Sequence, residues 1–194
     1  MPDPAPPPSP PVITTARLVL RARVPGDAEA LFPTLSDPEQ MRWWSRPPFT
    51  SVAELRADFA ARDSGGPWRA WTITRPDDPR ALGFVSAGEK RQGGVTEIGY
   101  MLAQAAQGQG IAREAVSGVI TQLFAEGQHR VFADTDPDNS GSIALLEKLG
   151  FQLEGRLRHE WQTHIGLRDA LIYGLLAEEW NTLTQTAEQA GQPE

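Results

Sequence analysis

The stretch from Val95 to Asp136 constrains the fold of this chain more than any other part of the sequence. It contains an apolar strand pattern (VTEIGYML), a glycine loop (QGQG), an amphipathic helix pattern (IAREAVSGVITQLFAEG) and a second strand pattern (HRVFADTD). Apolar residues recur at helical spacing in the helix pattern, and Gly127 ends it. A helix between two strands usually connects parallel neighbours of one sheet. We therefore expect a parallel crossover near the middle of the chain.

Further strand and helix patterns lie on both sides of this crossover. WRAWTIT, ALGFVSAGE and VTEIGYML predict an antiparallel meander, and RLVLRA predicts an earlier strand. Ser51 and Glu54 form a capping box, which predicts a helix start. Residues 151–161 and 170–176 predict two more strands before a last helix at 177–187. The order predicts a single α/β (α+β) domain with a mixed, mostly antiparallel, twisted sheet of about seven strands flanked by helices.

Composition and chain ends exclude several classes of function. The chain has 194 residues, a net charge of −7, no cysteine and three histidines, so disulfides and thiolate nucleophiles are excluded and we expect no metal site. The acidic charge argues against a nucleic-acid partner. No apolar run reaches the ~18 residues of a membrane span. We expect a cytoplasmic protein with no membrane partner, a proline-rich flexible tail at 1–12, one domain at 13–183 and a C-terminal tail at 184–194.

The glycine loop is a candidate anion site. A helix N-terminus leaves backbone N–H groups unpaired and carries a partial positive charge. Glycines let the backbone adopt a positive φ and approach a bulky anion. A phosphate or pyrophosphate site and a plain strand-to-helix turn are both compatible with this pattern. The loop is not a Walker loop, because no G-K-[ST] follows, and Arg113 stands where the dinucleotide fingerprint needs its third glycine.

Several motifs, in order along the chain, carry a family resemblance. Gln107-Gly108-Gln109-Gly110-Ile111-Ala112 resembles the Q/R-x-x-G-x-G/A signature of the GNAT superfamily of N-acetyltransferases. NSGS from Asn139 and EKLGF from Glu147 resemble the N-x-x-S/A…EKxGF segment of that superfamily. EIGY at 97–100 and EW at 179–180 are further marks of the superfamily. TTARLVLR and the Arg168-Asp169 pair are similar to its RimJ/RimL-like branch, which includes ribosomal-protein N-acetyltransferases. The resemblance covers residues 13–181 and implies a GNAT fold, with a V-shaped splay between the fourth and fifth strands.

The resemblance implies that acetyl-coenzyme A is the acetyl donor. Backbone amides of residues 109–113 would hold its pyrophosphate, and the pantetheine arm would lie in the splay. A backbone N–H near Met101 or Leu102 would face the thioester oxygen. Asn139 would contact the arm, cap a helix, or do both. The implied cofactor site also includes Ser142 and the whole glycine loop: Gln107, Gly108, Gln109, Gly110, Ile111, Ala112 and Arg113.

The resemblance also implies the residues that move protons. Many relatives carry a tyrosine acid seven residues after the asparagine, where this chain has Leu146, which we expect to pack in the core. Ser142 would be the proton donor instead, or only a hydroxyl of the first helical turn. Glu97 would be the general base, and Asp169 and Glu160 are the alternatives. We expect the remaining candidates, His159 and His164, at the surface.

The acceptor pocket is expected between an aromatic loop and the last strands. The candidate residues are Trp43, Trp44, Phe49, Tyr100, Trp161 and Asp169, although the aromatic ones could instead cover the core. The expected function is acetyl-CoA-dependent transfer, by direct attack in a ternary complex, to a protein N-terminal amine or a small-molecule amine. The alternatives are a non-catalytic acyl-CoA sensor and a nucleotide-binding protein. A homodimer is an assembly that the resemblance allows.

Overall fold

The computed structural model of the protein describes residues 9–62, 68–89 and 93–190. The predictions for the ends of the two tails (1–8 and 191–194) and for part of the RQGG turn lie outside these residues. The described chain forms eight strands, which are β1 (Ile13–Thr14), β2 (Val19–Ala22), β3 (Trp68–Arg75), β4 (Asp78–Glu89), β5 (Val95–Leu102), β6 (Arg130–Thr135), β7 (Gln152–Thr163) and β8 (Gly166–Leu176). It also forms six α-helices, which are α1 (Ala28–Leu35), α2 (Pro38–Met41), α3 (Val52–Arg62), α4 (Ile111–Ala125), α5 (Ser140–Lys148) and α6 (Ala177–Ala190).

The strands form one sheet in the order β1-β2-β3-β4-β5-β6-β8-β7. Neighbours are antiparallel except β5 and β6, which are parallel and are joined through α4. The predicted single α/β domain with a mixed, mostly antiparallel sheet is therefore confirmed. The sheet has one strand more than expected, because Ile13 and Thr14 pair with β2 ahead of the first predicted strand.

The two parallel strands separate soon after they begin to pair. Their register contains only three pairs, and the last joins Glu97 to Phe132. Beyond that point β5 stays paired with β4 as far as Leu102, and β6 stays paired with β8 as far as Thr135. The sheet therefore opens into a V between β5 and β6. These are the fourth and fifth strands of the prediction, and β1 shifts their numbers by one.

Apolar side chains cover both faces of the sheet. One core contains the buried stripe of α4, which is Ala115, Val116, Val119, Ile120 and Leu123, and it also takes in the buried residues of α5 and α6. The other core lies under α1, α2 and α3 and includes Phe84 and Met101. Neighbouring residues of a strand face opposite sides, so Phe84 joins one core and Val85 the other. The sheet therefore carries one apolar core on each of its faces.

The ends of two helices differ from expectation. Helix α6 continues to Ala190, three residues beyond the predicted end at residue 187. The Thr184 hydroxyl donates to the Trp180 carbonyl (3.0 Å), so this threonine is accommodated within the helix. At α3, Ser51 Oγ accepts from the Glu54 N–H (3.1 Å), as the capping box predicts. The Glu54 carboxylate instead accepts from the Thr50 N–H (2.9 Å), so the second half of the box is shifted by one residue.

Candidate active site

The glycine loop leads directly into the N-terminus of α4. Gly108 and Gly110 have φ values of 73° and 74°, which L side chains rarely adopt. The Gly110 carbonyl accepts the first helical bond from the Glu114 N–H (3.2 Å). Gly110 has no side chain to cap the helix, so the N–H groups of the first turn are available to an anion.

The glutamines of QGQG fasten the loop to the end of β5 and to the turn that follows it. Gln107 Nε2 donates to the Leu102 carbonyl (3.3 Å), and Gln109 Nε2 donates to the Ala105 carbonyl (2.9 Å). The alternation of glutamine and glycine therefore combines side-chain ties with backbone freedom. The loop is held without covering the helix N-terminus.

A second brace comes from the turn between β1 and β2. Arg17 donates to the Gln109 carbonyl (3.2 Å) and to a Glu114 carboxylate oxygen (2.6 Å). The Thr15 hydroxyl donates to the same carboxylate (2.6 Å). These bonds fix the loop and the first turn of α4 together. They also show what part of the TTARLVLR motif does, because Thr15 and Arg17 belong to it.

The backbone of β5 presents N–H groups to the splay. The Ala103 N–H donates to the Leu82 carbonyl (2.8 Å), toward β4. Backbone groups of alternate strand residues point to opposite neighbours, so the Met101 N–H also faces β4. By the same alternation the N–H groups of Tyr100 and Leu102 face the splay. Of the two residues predicted at the thioester, Leu102 therefore has the suitable direction and Met101 does not.

One cavity of about 630 Å³ extends along the V from Glu97, where β5 and β6 cease to pair. It brings together predicted residues that are far apart in the sequence, namely Trp43, Trp44, Phe49, Glu97, Tyr100, Asn139, Ser142, Trp161 and Asp169. Met101, Leu102 and the glycine loop do not line it. The predicted cofactor loop and the predicted acceptor pocket are thus separate places, and the splay lies between them.

The start of α5 sets Asn139 and Ser142 at the wall of this cavity. Asn139 Oδ1 accepts from the Ser142 N–H (3.2 Å), so Asn139 is the cap of the helix. Ser142 Oγ lies 2.8 Å from the Tyr100 hydroxyl. Burial raises the pKa of Tyr100 to about 12, although the hydrogen bond to Ser142 opposes the shift. Leu146 is fully buried, as expected, and has no access to the cavity.

Two of the predicted base candidates, Glu97 and Asp169, line the cavity. Glu97 occupies the last position of β5 that pairs with β6. Asp169 accepts from the His159 N–H (2.9 Å) and from Arg156 Nε (2.8 Å), and these bonds hold the pKa of the Asp169 carboxyl below its usual range. The lowered pKa weakens Asp169 as a base. Glu160 is exposed and does not line the cavity.

The remaining base candidates, His159 and His164, lie at the surface. Both are exposed, and neither is among the residues that line the cavity. His159 has a φ of 53°, so it occupies an irregular position of β7 where the pairing with β8 shifts. Its N–H, rather than its imidazole, is the group that reaches Asp169.

The aromatic residues divide between wall and core. Phe49 is 4% exposed and lies under the Arg46 guanidinium, with 3.4 Å between Cζ and the ring centroid, so it belongs mainly to the core. Trp44 packs on Phe84 with 6.1 Å between ring centroids. Trp161 is 39% exposed, and its Nε1 donates to Asp134 (2.8 Å). The expected acceptor wall is therefore formed more by the tryptophans than by Phe49.

Sequence reasoning missed the charged residues that complete the cavity. Six arginines line it, which are Arg23, Arg42, Arg46, Arg62, Arg69 and Arg168. Arg168 donates to Asp136 (2.6 Å) and to Asp138 (2.5 Å), so it fixes the turn that precedes Asn139. The Arg168-Asp169 pair was already a motif, and its position on β8 was the available signal. Arg42 and Arg46 flank the tryptophans of the aromatic loop, whereas the remaining three come from separate segments that no local pattern joins.

Among the described residues, no helix is long and apolar enough to cross a membrane. No group of three or more His, Asp or Glu side chains there could hold a metal ion.

Comparison with known proteins gives consistent matches. The model of the "Acetyltransferase (GNAT) domain" matches residues 17–152. The protein named Uncharacterized N-acetyltransferase p20, from Bacillus licheniformis, is 32% identical over 86% of this chain and 96% of its own length. The [Ribosomal protein uS5]-alanine N-acetyltransferase of Escherichia coli is 28% identical over 54% of this chain and 56% of its own. The structure of spermidine N-acetyltransferase from Vibrio cholerae, in complex with CoA and spermine, shares the fold, with a TM-score of 0.75, 21% identity and coverage of 86% and 99%.

Proposed function

Since the chain belongs to the GNAT family of acetyltransferases, we propose that it transfers an acetyl group from acetyl-CoA to a primary amine. The amine attacks directly while both substrates are bound, in a ternary complex. When bound, acetyl-CoA supplies an acetyl group that is activated as a thioester. Residues of this chain meet the other requirements. They hold the donor, deprotonate the amine and give a proton to the departing sulfur.

The residues around the glycine loop fit an anionic group such as a pyrophosphate. Two glycines with positive φ lead into the uncapped N-terminus of a helix of 15 residues. In the splay, the Leu102 N–H faces an unpaired edge and is the candidate oxyanion donor. Asn139 and Ser142 lie on the other side of the splay.

The observation that carries the proposal is the cavity that joins Ser142 to Glu97, which lies where the splay begins. Glu97 removes a proton from the acceptor ammonium, directly or through water, which leaves a neutral amine. Ser142 gives a proton to the sulfur that departs. Glu97 and Ser142 lie on opposite sides of the gap, which suits a reaction that takes place between them.

The acceptor is a protein N-terminal α-amine or a small-molecule amine. The relatives named above include an enzyme for a ribosomal-protein alanine and one for spermidine, so both kinds of amine occur among proteins of this fold. The cavity offers tryptophan rings and carboxylates to a cationic amine. A mass-spectrometric screen of amines and peptides for acetylated products identifies the acceptor, and the absence of any product from either class contradicts this assignment.

Cofactor binding is tested by placing a carboxylate at the loop. Gly110→Glu should raise the Kd of acetyl-CoA at least about tenfold, since a negative charge at the helix N-terminus repels the pyrophosphate. Gly127→Glu is the matched control, because Gly127 also has a positive φ (92°) and lies beyond the other end of α4. Calorimetric titration measures both variants. Equal affinities for acetyl-CoA in the two variants would show that the loop does not belong to the cofactor site.

A further inference from the structure

A hydrogen bond between two hydroxyls spans the splay. Tyr100 lies on β5, three positions after the last residue that pairs with β6, and Ser142 lies in the first turn of α5. Their oxygens are 2.8 Å apart, and both residues line the cavity. This hydrogen bond therefore connects β5 to α5 across the opening, and it includes the proposed proton donor, Ser142.

The chemistry of the two hydroxyls indicates which one donates. A phenol is a stronger acid than an alcohol, so it is the better donor in a bond between them. Tyr100 is buried, and the raised pKa of its phenol keeps it protonated at every pH at which such an enzyme works. The pair holds two hydrogens, and the bond between them uses one. If Tyr100 donates, the hydrogen of Ser142 is directed elsewhere.

We propose that Tyr100 is a positioning residue, whose phenol donates to Ser142 Oγ and thereby aims the Ser142 O–H at the departing sulfur. The Asn139 side chain fixes only the backbone of Ser142, because it accepts from the Ser142 N–H. A serine hydroxyl otherwise rotates freely. The proposal rests on the proposed transferase function, and it gives Tyr100 a role different from the acceptor contact expected from the sequence.

The step balances without a charge on Tyr100. Ser142 gives its hydroxyl proton to sulfur as the C–S bond breaks with its electron pair on sulfur. The acceptor nitrogen gives its second proton to solvent as the C–N bond forms, and solvent returns one proton to Ser142 Oγ as Ser142 gives its own to sulfur, so no full alkoxide forms. Tyr100 keeps its proton throughout and stabilises the partial negative charge that develops on Ser142 Oγ. Acid catalysis is then possible although position 146 holds a leucine. The hydroxyls of Tyr100 and Ser142 together replace the tyrosine acid that many relatives carry at that position.

A double-mutant cycle on turnover separates this role from a structural one. Ser142→Ala should lower kcat about tenfold or more, and Tyr100→Phe should lower it roughly tenfold, with little change in the Kd of acetyl-CoA. In the Ser142→Ala background, Tyr100→Phe should change kcat less than about twofold, because Tyr100 acts through Ser142. Additive losses would mean that Tyr100 acts on its own and would overturn the proposal, as would unchanged kcat in Tyr100→Phe.

The matched control is Tyr173→Phe, which removes the other tyrosine hydroxyl of the chain. Tyr173 also bonds to α5, through Glu147 (3.3 Å), but it does not line the cavity. We expect its kcat to equal that of the wild type. A loss of kcat as large as that of Tyr100→Phe would show that the tyrosine bonds to α5 affect turnover only through the stability of the fold.

A binding measurement tests the same inference without turnover. A hydrogen bond from Ser142 to sulfur favours the thiolate of coenzyme A, so at about pH 9, above a typical thiol pKa of ~8.5, CoA should bind more tightly than desulfo-CoA. Calorimetry should show this preference severalfold in the wild type and its loss in both Tyr100→Phe and Ser142→Ala. A preference retained in Tyr100→Phe overturns the positioning role. If no amine is acetylated but the preference follows the hydroxyls, the proposed function fails, while the orientation of the Ser142 hydroxyl by Tyr100 stands.

Discussion

Asp27 is a buried carboxylate that ties the first strands to α1. It accepts two bonds from Arg21 (2.7 and 2.9 Å) and one each from the Thr72 hydroxyl (2.7 Å) and the Val24 N–H (3.0 Å). Burial alone would raise the pKa of Asp27, but these bonds outweigh it and lower the pKa below its usual range. A carboxyl whose pKa falls on folding stabilises the folded state only while it is ionised.

Asp27→Asn should therefore destabilise the protein by about 2 kcal/mol near neutral pH, because Arg21 loses its ionic partner. The gap between wild type and variant should stay constant down to the unfolded-state pKa of about 3.9 and close as the pH falls through the lower folded-state value. Denaturant unfolding at several pH values measures it. Asp77→Asn, in the exposed β3–β4 turn, is the control and should show no such gap. A gap that persists in acid contradicts the account.

The positions of some individual side chains were predictable from the sequence, and those of others were not. Leu146 was expected in the core because a leucine on an amphipathic helix has few alternatives, and it is fully buried. The resemblance offered Ser142 in place of the tyrosine acid that Leu146 displaces, but the sequence did not indicate that Tyr100 bonds to it. The Tyr100–Ser142 bond joins residues 42 positions apart, and it exists only because α5 packs beside the open edge of β5. Phe49 was named for the acceptor wall, but the Arg46 guanidinium covers it.

Among the elements, the glycine loop depends on the β1–β2 turn. Arg17→Ala should raise the Kd of acetyl-CoA about threefold to tenfold and leave kcat at saturation unchanged, because the loop loses two of its braces and must be ordered on binding. Arg80→Ala is the control, since Arg80 is exposed and pairs with Asp78 of its own strand. Equal Kd values for the two variants would show that the loop holds its conformation without Arg17.

Elements with a strong local pattern were predictable, and those set by tertiary contacts were not. The apolar stripe of α4 gave its location, and the crossover gave the parallel pairing of β5 with β6. β1 has two residues, too few for any period, and it exists only because β2 offers an edge. The end of α6 was placed too early, because threonines, which are poor helix formers, follow Trp180.

For the molecule as a whole, the division between donor and acceptor sites explains what a sequence of this kind reveals. The proposed donor loop is one of several short motifs, and their order along the chain indicated the family, whose model matches residues 17–152. The acceptor cavity draws on helices, loops and strands from Arg23 to Asp169. Its arginines and carboxylates are brought together only by the folded sheet. Under the proposed function the choice of amine depends on this tertiary arrangement, so the family can be recognised well before the substrate can.

The most direct test of this account is the steady-state release of coenzyme A thiol from saturating acetyl-CoA as the amine concentration is varied. The account predicts release that saturates with the amine, yields one acetylated product per thiol, and falls about tenfold or more in Ser142→Ala. Tight binding of acetyl-CoA with no amine-dependent release, across peptide and small-molecule amines, would contradict it. That outcome would make the protein an acyl-CoA sensor rather than a transferase.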